Sequence, residues 1–471
     1  MSKRIVYVML VVALMLAACA PAATPTAAPP PLAQPTSAPA QPTAVPATKA
    51  PAAPAVKELK IIWAEWDPAN YLAELVKDYE KDAGVKVTVI QEPWGSYYDR
   101  VSADWAAKGC GFEMLVGDSQ WLGQGATQGH YIDLTQFMKD NNLIDTVTAG
   151  TLKYYGEYPP NSQKYWAYPT EGDADGWAYR KDLFEDPKEK EAFKAKYGYE
   201  LAVPKTYKEM LDIAEFFYRP TANPPIYGAA IYTQKDYDAI TMGFENIMFS
   251  YGVEWQDKNY NVEGVLNSAK GVEALEYYKK LYKFGPPGNT NSFYAEMNNY
   301  FTSGQVVMAM NYFAFFPALA NEKTNPYAKG TGYFANPKGP YGERFAALGG
   351  QGLSVNAHCS KEKQQASLDF IKWFGQEKVQ AKWAALGGYT CNKAVLASPE
   401  FLKVAPFNAA FAETMNMVKD FWNIPEYGSL LTPAQTYLHG YVIGDQGTAK
   451  EALDNIAKEH TKVLKEAGYI K

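Results

Sequence analysis

Cysteine and histidine are scarce in this chain, and their scarcity argues against several kinds of site. The 471 residues include only 4 Cys and 4 His. These residues do not show the short spacings at which zinc sites place their ligands. We therefore predict no bound metal.

Motifs of catalysis are missing as well. Gly123, Gly125 and Gly129 follow a strand-like segment but miss the dinucleotide-binding spacing by one residue. Ser354 lacks the second glycine that a nucleophile elbow requires. We predict that the protein is not an enzyme and that it uses no cofactor.

Basic residues and long apolar runs are also in short supply. Lys and Arg number 45 against 51 Asp and Glu, which gives a net charge of -6. Since phosphate binding requires clustered Lys and Arg, we expect no nucleic-acid partner. After residue 57 no apolar stretch is long enough to cross a bilayer. Only the beginning of the chain therefore remains as a link to a membrane.

That beginning has the pattern of an export signal. A basic start precedes an apolar run from Ile5 to Leu16. The tetrapeptide LAAC that ends at Cys19 resembles a bacterial lipobox, in which the cysteine is lipidated after cleavage. The alternative is an ordinary secretory signal with a chance cysteine. We predict a lipoprotein signal peptide over 1–19 and an extracytoplasmic protein that Cys19 anchors to the cell membrane.

The next segment, 20–56, is composed almost wholly of Ala, Pro and Thr. Such a segment cannot bury a core, so we predict an extended tether. Three cysteines follow it, Cys110, Cys359 and Cys391. They allow at most one disulfide and a spare thiol, and the sequence does not select the pair.

Three strand-like segments are each followed by an acid and a tryptophan. Leu59–Trp63 leads to Glu65 and Trp66, Lys86–Ile90 to Glu92 and Trp94, and Phe112–Val116 to Asp118 and Trp121. In an open α/β sheet, side chains just beyond the carboxyl ends of the strands face the ligand crevice. Carboxylates accept hydroxyl hydrogens, and an aromatic ring covers the apolar face of a pyranose. The pattern indicates carbohydrate binding, with core packing as the alternative for each tryptophan.

Helix signals between and after these strands indicate the fold class. Asp67 is the expected cap of a helix that Gly84 closes, and a second helix is expected from about Ser96 to Lys108. Together with the strands they form a βαβαβ unit with parallel strands. Capping boxes at Thr206 and Thr448 predict two of the later helices.

The order of several landmarks resembles a known family from about residue 57 to the C-terminus. The landmarks are YEKDAGVKV at 79–87, GDSQW at 117–121, YP at 168–169, YRKDLF at 179–184, VPKTY at 203–207, FTSGQ at 301–305, MAM at 308–310 and GGQGL at 349–353. The family is that of the lipid-anchored extracellular solute-binding proteins of sugar ABC importers, which includes maltose-binding protein.

This resemblance implies a two-lobe, periplasmic-binding-protein-like α/β fold with a ligand cleft and a hinge between the lobes. The N-lobe would comprise 57–168 plus 349–388, and the C-lobe 169–348 plus 389–471. The implied function is capture of a small carbohydrate or polyol by hinge closure. The implied partners are the permease subunits of an ABC importer, and we expect a monomer.

The resemblance also implies residues of the cleft. Asp173 occupies the position of a cleft acid, with Glu171 and Asp175 as alternatives. Where relatives often place a stacking Trp, this chain has Tyr312 and Phe315. The remaining candidates are Gln120, Tyr232, Trp255, Gly350, Gln351 and Tyr427, with Trp422 as an alternative to Tyr427.

Two other classes of function stay open at this level. Two acids on one sugar are also what a glycosidase needs, so a secreted glycan-cleaving enzyme is the second hypothesis. A binder of a non-sugar solute such as a peptide is the third. A peptide site would need a fixed counter-charge, and Arg100 and Arg180 have no certain position near the cleft.

Overall fold

The computed structural model describes residues 56–235 and 238–471. The predicted signal peptide at 1–19, with Cys19, lies outside the described residues, as does the predicted tether at 20–56 apart from Val56.

The strands form two main sheets and one short pair. Their bounds are β1 Glu58–Ala64, β2 Lys86–Glu92, β3 Met114–Asp118, β4 Tyr168–Glu171, β5 Asp175–Arg180, β6 Tyr227–Ala230, β7 Val306–Tyr312, β8 Thr331–Phe334, β9 Ala346–Ala347, β10 Gln351–Val355 and β11 Val418–Lys419. The first sheet has the order β2-β1-β3-β10-β4, the second sheet has the order β6-β7-β5-β8, and β11 pairs with β9.

The first sheet contains the predicted βαβαβ unit. Strand β1 pairs in parallel with β2 and with β3, which confirms that expectation. Strand β3 lies two residues later than predicted, because its ladder with antiparallel β10 continues as far as the pair Asp118 and Gln351. Asp118 is therefore the last residue of the strand, whereas the sequence predicted it just beyond the strand end.

Helices cover both sheets. Their bounds are α1 Asp67–Ala83, α2 Trp94–Ala106, α3 Leu122–Thr127, α4 Thr135–Asp140, α5 Ala149–Thr151, α6 Lys181–Glu185, α7 Pro187–Tyr197, α8 Tyr207–Phe216, α9 Ala239–Ser250, α10 Ala269–Lys283, α11 Tyr294–Thr302, α12 Pro317–Ala320, α13 Lys361–Phe374, α14 Glu377–Ala385, α15 Lys393–Leu396, α16 Pro399–Val404, α17 Asn408–Thr414, α18 Tyr427–Val442 and α19 Ala449–Glu466.

The sequence signals explain several helix ends. Helix α1 ends where predicted, at Gly84, whose φ of 68° is a left-handed conformation that glycine adopts at little cost. Its cap was wrongly assigned: Trp66 holds the extended cap position, and Asp67 is already helical. In that first turn Asp67 still complements the helix dipole. The capping box at Thr448 is confirmed.

The chain passes between the two main sheets at 172–174, which joins β4 to β5, and again at 348–350, which joins β9 to β10. A backbone hydrogen bond from Gly349 N to Asp173 O (3.1 Å) joins these two crossing segments, and Gly172 N donates to Tyr389 O (2.6 Å), between α14 and α15. Strand β4 extends to Glu171, past the expected lobe boundary at 168. The boundaries of the two lobes remain a prediction.

Cys110 and Cys359 form a disulfide, and Cys391 is a buried free thiol. The disulfide joins the loop after α2 to the loop before α13, on the first-sheet side. Within 56–235 and 238–471, no helix is long and apolar enough to span a membrane.

Candidate functional site

Three polar side chains lie in a row across one edge of the first sheet. Asp118 ends β3, Glu171 ends β4, and Gln351 begins the antiparallel strand β10 between them. The register therefore places Gln351 opposite Asp118 on one side and opposite Glu171 on the other. Trp63 Nε1 donates a hydrogen bond to Gln351 Oε1, which fixes the amide. The sequence predicted Asp118 and Gln351 for the site, and the strand order brings them together.

The second sheet presents its own polar edge. Asp175 begins β5 and pairs with Tyr312, the last residue of β7. Asn246 Nδ2 donates to Asp175 Oδ2 at 2.5 Å. Tyr232 OH donates to Asn311 Oδ1 at 2.5 Å, and its ring stacks near that of Tyr312, with centroids 6.3 Å apart. Three predicted site residues, Asp175, Tyr232 and Tyr312, therefore lie together.

Asp173 lies in the crossing segment between these edges. Its Oδ1 accepts hydrogen bonds from Ala174 N (2.9 Å) and Ala314 N (3.2 Å). Burial raises the pKa of Asp173 to about 8, although these backbone donors act in the opposite direction. The carboxyl group of Asp173 is therefore bonded to the segment that follows β7, on the second-sheet side.

Gly350 lies against the same segment. Its N–H donates to Tyr155 OH at 2.6 Å, and Tyr155 OH donates to Asp173 O at 3.2 Å. A Cβ at Gly350 would lie 2.2 Å from Glu171 O, so only glycine fits. Close packing against Glu171 therefore explains why this position is a glycine. Direct contact of Gly350 with a ligand remains a prediction.

A direct contact joins residues near the two edges. Gln120 Nε2 donates to Asp238 Oδ2 (3.1 Å) and to Tyr427 OH (3.3 Å), and Tyr427 OH donates to Asp238 Oδ2 (3.1 Å). Gln120 follows β3, Asp238 precedes α9, and Tyr427 begins α18. Gln120 and Tyr427 were predicted, whereas Asp238 was missed, because neither a strand end nor a motif precedes it.

Seven carboxyl groups form what we call the acid cluster. All are buried, and they are Asp118, Glu171, Asp173, Asp175, Asp238, Glu245 and Asp420. Glu245 was missed as well, although it and Asn246 stand out as a polar pair in α9, which is buried at every position. The cluster therefore draws on both main sheets, a crossing segment, a helix and the segment after β11.

Burial is the main cause of the pKa shifts in the acid cluster. It raises the pKa of Asp238 to about 8 and that of Asp420 to about 7, and the charge of Asp118 adds to both shifts. Burial also raises the pKa of Glu171, Asp175 and Glu245 well above the usual range, with neighbouring carboxyls adding to each shift. At neutral pH part of the cluster is therefore protonated.

A row of aromatic rings borders the first-sheet edge. Trp66 lies 5.6 Å from Trp63 and 5.4 Å from Trp94, both edge to face, and Trp121 lies 5.1 Å from Tyr97. Trp66, Trp94 and Trp121 are half-buried, and so keep accessible surface. The structure thus brings the three predicted tryptophans to neighbouring positions, while Glu65 beside them is exposed. Stacking on a ligand remains a prediction for each.

Trp255 and Phe315 are occupied by other contacts. Trp255 is buried, donates through Nε1 to Glu245 Oε1, and packs on Trp422 with ring centroids 4.6 Å apart. Phe315 is half-buried and stacks on Tyr294 at 4.3 Å. Trp255 therefore meets the acid cluster through Glu245, whereas the ring of Phe315 packs against Tyr294.

A side-chain cluster and a cavity elsewhere in the molecule also resemble binding sites. Cys110, Glu113 and Cys359 are close enough together to suggest a metal, but the disulfide consumes both thiolates. A cavity of about 380 Å³ lies beside Tyr389. No charged side chain lines this cavity within the described part of the chain. Since polar groups that can orient a solute converge at the acid cluster, we place the candidate site there.

Comparison with known proteins identifies the family of the chain. Residues 65–381 match a sequence model described as bacterial extracellular solute-binding protein. Curated relatives include a probable amino-acid ABC transporter periplasmic-binding protein of Sinorhizobium fredii, 22% identical over 85% of this chain and 88% of the relative. They also include the galactooligosaccharide-binding protein of Bacillus subtilis, 22% identical over 84% of this chain and 87% of the relative.

Solved structures share the fold. Maltose-bound MalE3 of T. maritima has 24% identity and a TM-score of 0.72, covering 87% of this chain and 100% of its own. A solute-binding protein of Agrobacterium radiobacter in complex with ribitol has 22% identity and a TM-score of 0.71, covering 87% and 99%. The predicted two-lobe α/β fold is thereby confirmed.

Proposed function

The chain belongs to the bacterial extracellular solute-binding protein family, and on that premise we propose that it captures a small carbohydrate or polyol for an ABC importer. The observation that carries the proposal is the acid cluster, in which carboxyl groups from both main sheets converge beside a row of half-buried tryptophans. Buried carboxyls can bind several hydroxyl groups at once, and the rings can cover apolar sugar faces.

The mechanism is closure of the two lobes around the solute. A solute that touches Asp118 and Trp121 on one side and Asp173 and Tyr312 on the other is bound by all four residues only in the closed form. Such differential affinity shifts the population toward closure. The contact of Gln120 with Asp238 and Tyr427 supports this mechanism, because it joins the two sides directly. The permease subunits of the importer would then recognise the closed outline.

The membrane attachment belongs to the same proposal. The lipobox at Cys19 and the segment 20–56 support a lipid anchor. The anchored protein would be a monomer, with one lobe at 57–168 plus 349–388 and the other at 169–348 plus 389–471. Mass spectrometry of the membrane fraction should find diacylglyceryl on Cys19. A freely secreted mature chain without this modification would contradict the anchor.

A ligand screen tests the proposed function. Thermal shift with monosaccharides, disaccharides, polyols and short peptides, followed by calorimetry on the hits, should give sugar or polyol ligands. Product analysis after long incubation of the hits should show the solute unchanged. Binding of peptides alone would overturn the proposal, and turnover of a glycan would favour the enzyme hypothesis instead.

A further inference from the structure

Six carboxyl groups of the acid cluster, all except Asp118, have no basic counterpart in the described part of the chain. No ion pair there includes Glu171, Asp173, Asp175, Asp238, Glu245 or Asp420. The charged groups that shift their pKa values are other carboxyls of the cluster. Buried charges are normally paired, so this excess of acid in one place requires an explanation.

Several carboxylate oxygens of the cluster also have no hydrogen-bond partner among residues 56–235 and 238–471. They are both oxygens of Glu171, Oδ1 of Asp175, Oδ1 of Asp238 and Oε2 of Glu245. Glu171 is the clearest case, because it is fully buried and its electrostatic neighbours are Asp118 and Asp173. A buried acceptor without a donor is costly, so these oxygens call for donors from a ligand.

Aromatic side chains surround the same oxygens. The stacked pair Tyr232 and Tyr312 lies at Asp175, and Trp255 donates to Glu245 and packs on Trp422. Electron-rich ring faces beside carboxylates favour a cation over an anion. The other titratable groups that face the cluster are Tyr427, a donor to Asp238, and Tyr155, a donor to Asp173 O, together with Tyr154, Tyr389 and Cys391.

Building on the proposed function, we propose that the preferred ligand is a sugar or polyol that carries a protonated amine, which the acid cluster binds. An ammonium group has three donors and no acceptor, so it matches a site that is rich in acceptors and poor in donors. It also supplies the positive charge that the chain does not place there. The hydroxyl groups of a neutral sugar also donate to these oxygens, but they leave the charge of an ionised carboxyl uncompensated, so with a neutral ligand the carboxyls stay protonated.

The amine and the neutral sugar should therefore differ in whether binding releases protons. In the free protein Asp173 and Asp238 have pKa values of about 8 and Asp420 of about 7, so part of the cluster is protonated at pH 7. A bound ammonium group lowers these pKa values, and protons are released. The affinity for an amine should then rise from pH 6 to pH 7, below the pKa of about 8 at which an amine next to electron-withdrawing groups loses its own proton. A neutral sugar that binds protonated carboxyls should release none.

Calorimetry on the full chain can distinguish these cases. The probes are the 2-amino, N-acetylamino and parent forms of glucose, galactose and mannose, together with glucosaminitol and its parent alditol. We expect at least one amine to bind about tenfold tighter than both of its neutral counterparts, as expected for one additional charge contact. The binding enthalpy at pH 7 should differ between phosphate and Tris buffers because protons are released.

The outcomes separate this inference from the proposed function. If neutral forms bind as tightly as the amines, or if no proton is released, the inference is wrong and the proposed function stands. If no probe binds, and the broader screen yields no sugar or polyol, both are wrong.

A charge-removing variant sharpens the test. Glu171→Gln keeps the shape of the side chain but removes its charge, and it should weaken the amine about tenfold more than the neutral form. The matched control is Glu322→Gln, an exposed residue paired with Lys329 at 3.2 Å, which should change neither affinity. Asp238→Asn serves as a second variant if Glu171→Gln fails to fold. Equal weakening of both ligands would contradict an ammonium site.

Discussion

The two sides of the candidate site differ in how their functional groups are held. On the first-sheet side Trp66, Trp94 and Trp121 are half-buried and Glu65 is exposed. On the second-sheet side Asp175 is fully buried and bonded to Asn246. Glu65 and the half-buried tryptophans of the first side can therefore change at little cost to the fold, whereas Asp175 on the second side is part of the core. Substitutions of these first-side residues should weaken ligand binding without lowering the free energy of unfolding. Substitutions on the second side should affect both.

The largest effect is expected on the second-sheet side, for Asn246→Ala. The Asn246 side chain donates to Asp175 and Met242 O, and accepts from Asn336 Nδ2 (2.7 Å) and Ala347 N (2.8 Å). Its loss leaves buried partners unpaired, and should lower the free energy of unfolding by about 3 kcal/mol and weaken binding. Chemical denaturation measures the first effect and calorimetry the second.

The control for this variant is Asn416→Ala, an exposed residue whose side chain donates only to Ala412 O. It should change the unfolding free energy by less than about 0.5 kcal/mol. A stable Asn246→Ala protein with weakened binding would break the distinction between the two sides.

The next effect is a dependence of stability on pH. Burial raises the pKa of Asp238 to about 8, so this group keeps its proton in the folded protein when the unfolded chain has lost it. The stabilisation is complete below the unfolded pKa of about 4 and is lost as pH rises toward about 8. The unliganded protein should lose about 2 kcal/mol of unfolding free energy between pH 6 and pH 8.

Asp238→Asn provides the check on that assignment, because the amide cannot titrate. Denaturation at several pH values should show a flatter profile for this variant than for the unchanged protein. An equally steep profile would mean that other groups cause the dependence.

A smaller effect, confined to binding, is expected for Trp121→Ala and Trp94→Ala. Each should weaken the sugar or polyol found in the screen by about 1–2 kcal/mol, as for loss of an aromatic contact at an interface. Asp118→Ala should weaken it similarly. Trp166→Ala is the control, since Trp166 is also half-buried but donates to Tyr158 O, away from the aromatic row. Unchanged affinity in all three variants would refute a site at the strand ends.

The smallest effect is expected for Glu65→Gln. Because Glu65 is exposed, any contact with a ligand is screened by water, and the change in binding should stay below about 0.5 kcal/mol. Calorimetry that finds a larger loss would show that the closed cleft shields Glu65.

The same contrast explains what could be predicted from the sequence. Asp118 ends strand β3 and Trp121 follows three residues later, so their place at the sheet edge is a local property of the chain. Gln351 and Asp173 were found through the family resemblance. Asp238 and Glu245 depend on where α9 packs, which is a long-range property, and only the polar pair in a buried helix pointed to Glu245.

Small-angle scattering with and without the ligand from the screen tests the central claim most directly. If residues of both sides hold the solute, the radius of gyration of the protein should decrease on saturation, because the closed form is selected. The decrease should be absent in Asn246→Ala at a ligand concentration that saturates the unchanged protein. The contradictory result would be a radius of gyration that stays the same in the protein without substitutions, although calorimetry confirms that the ligand saturates it.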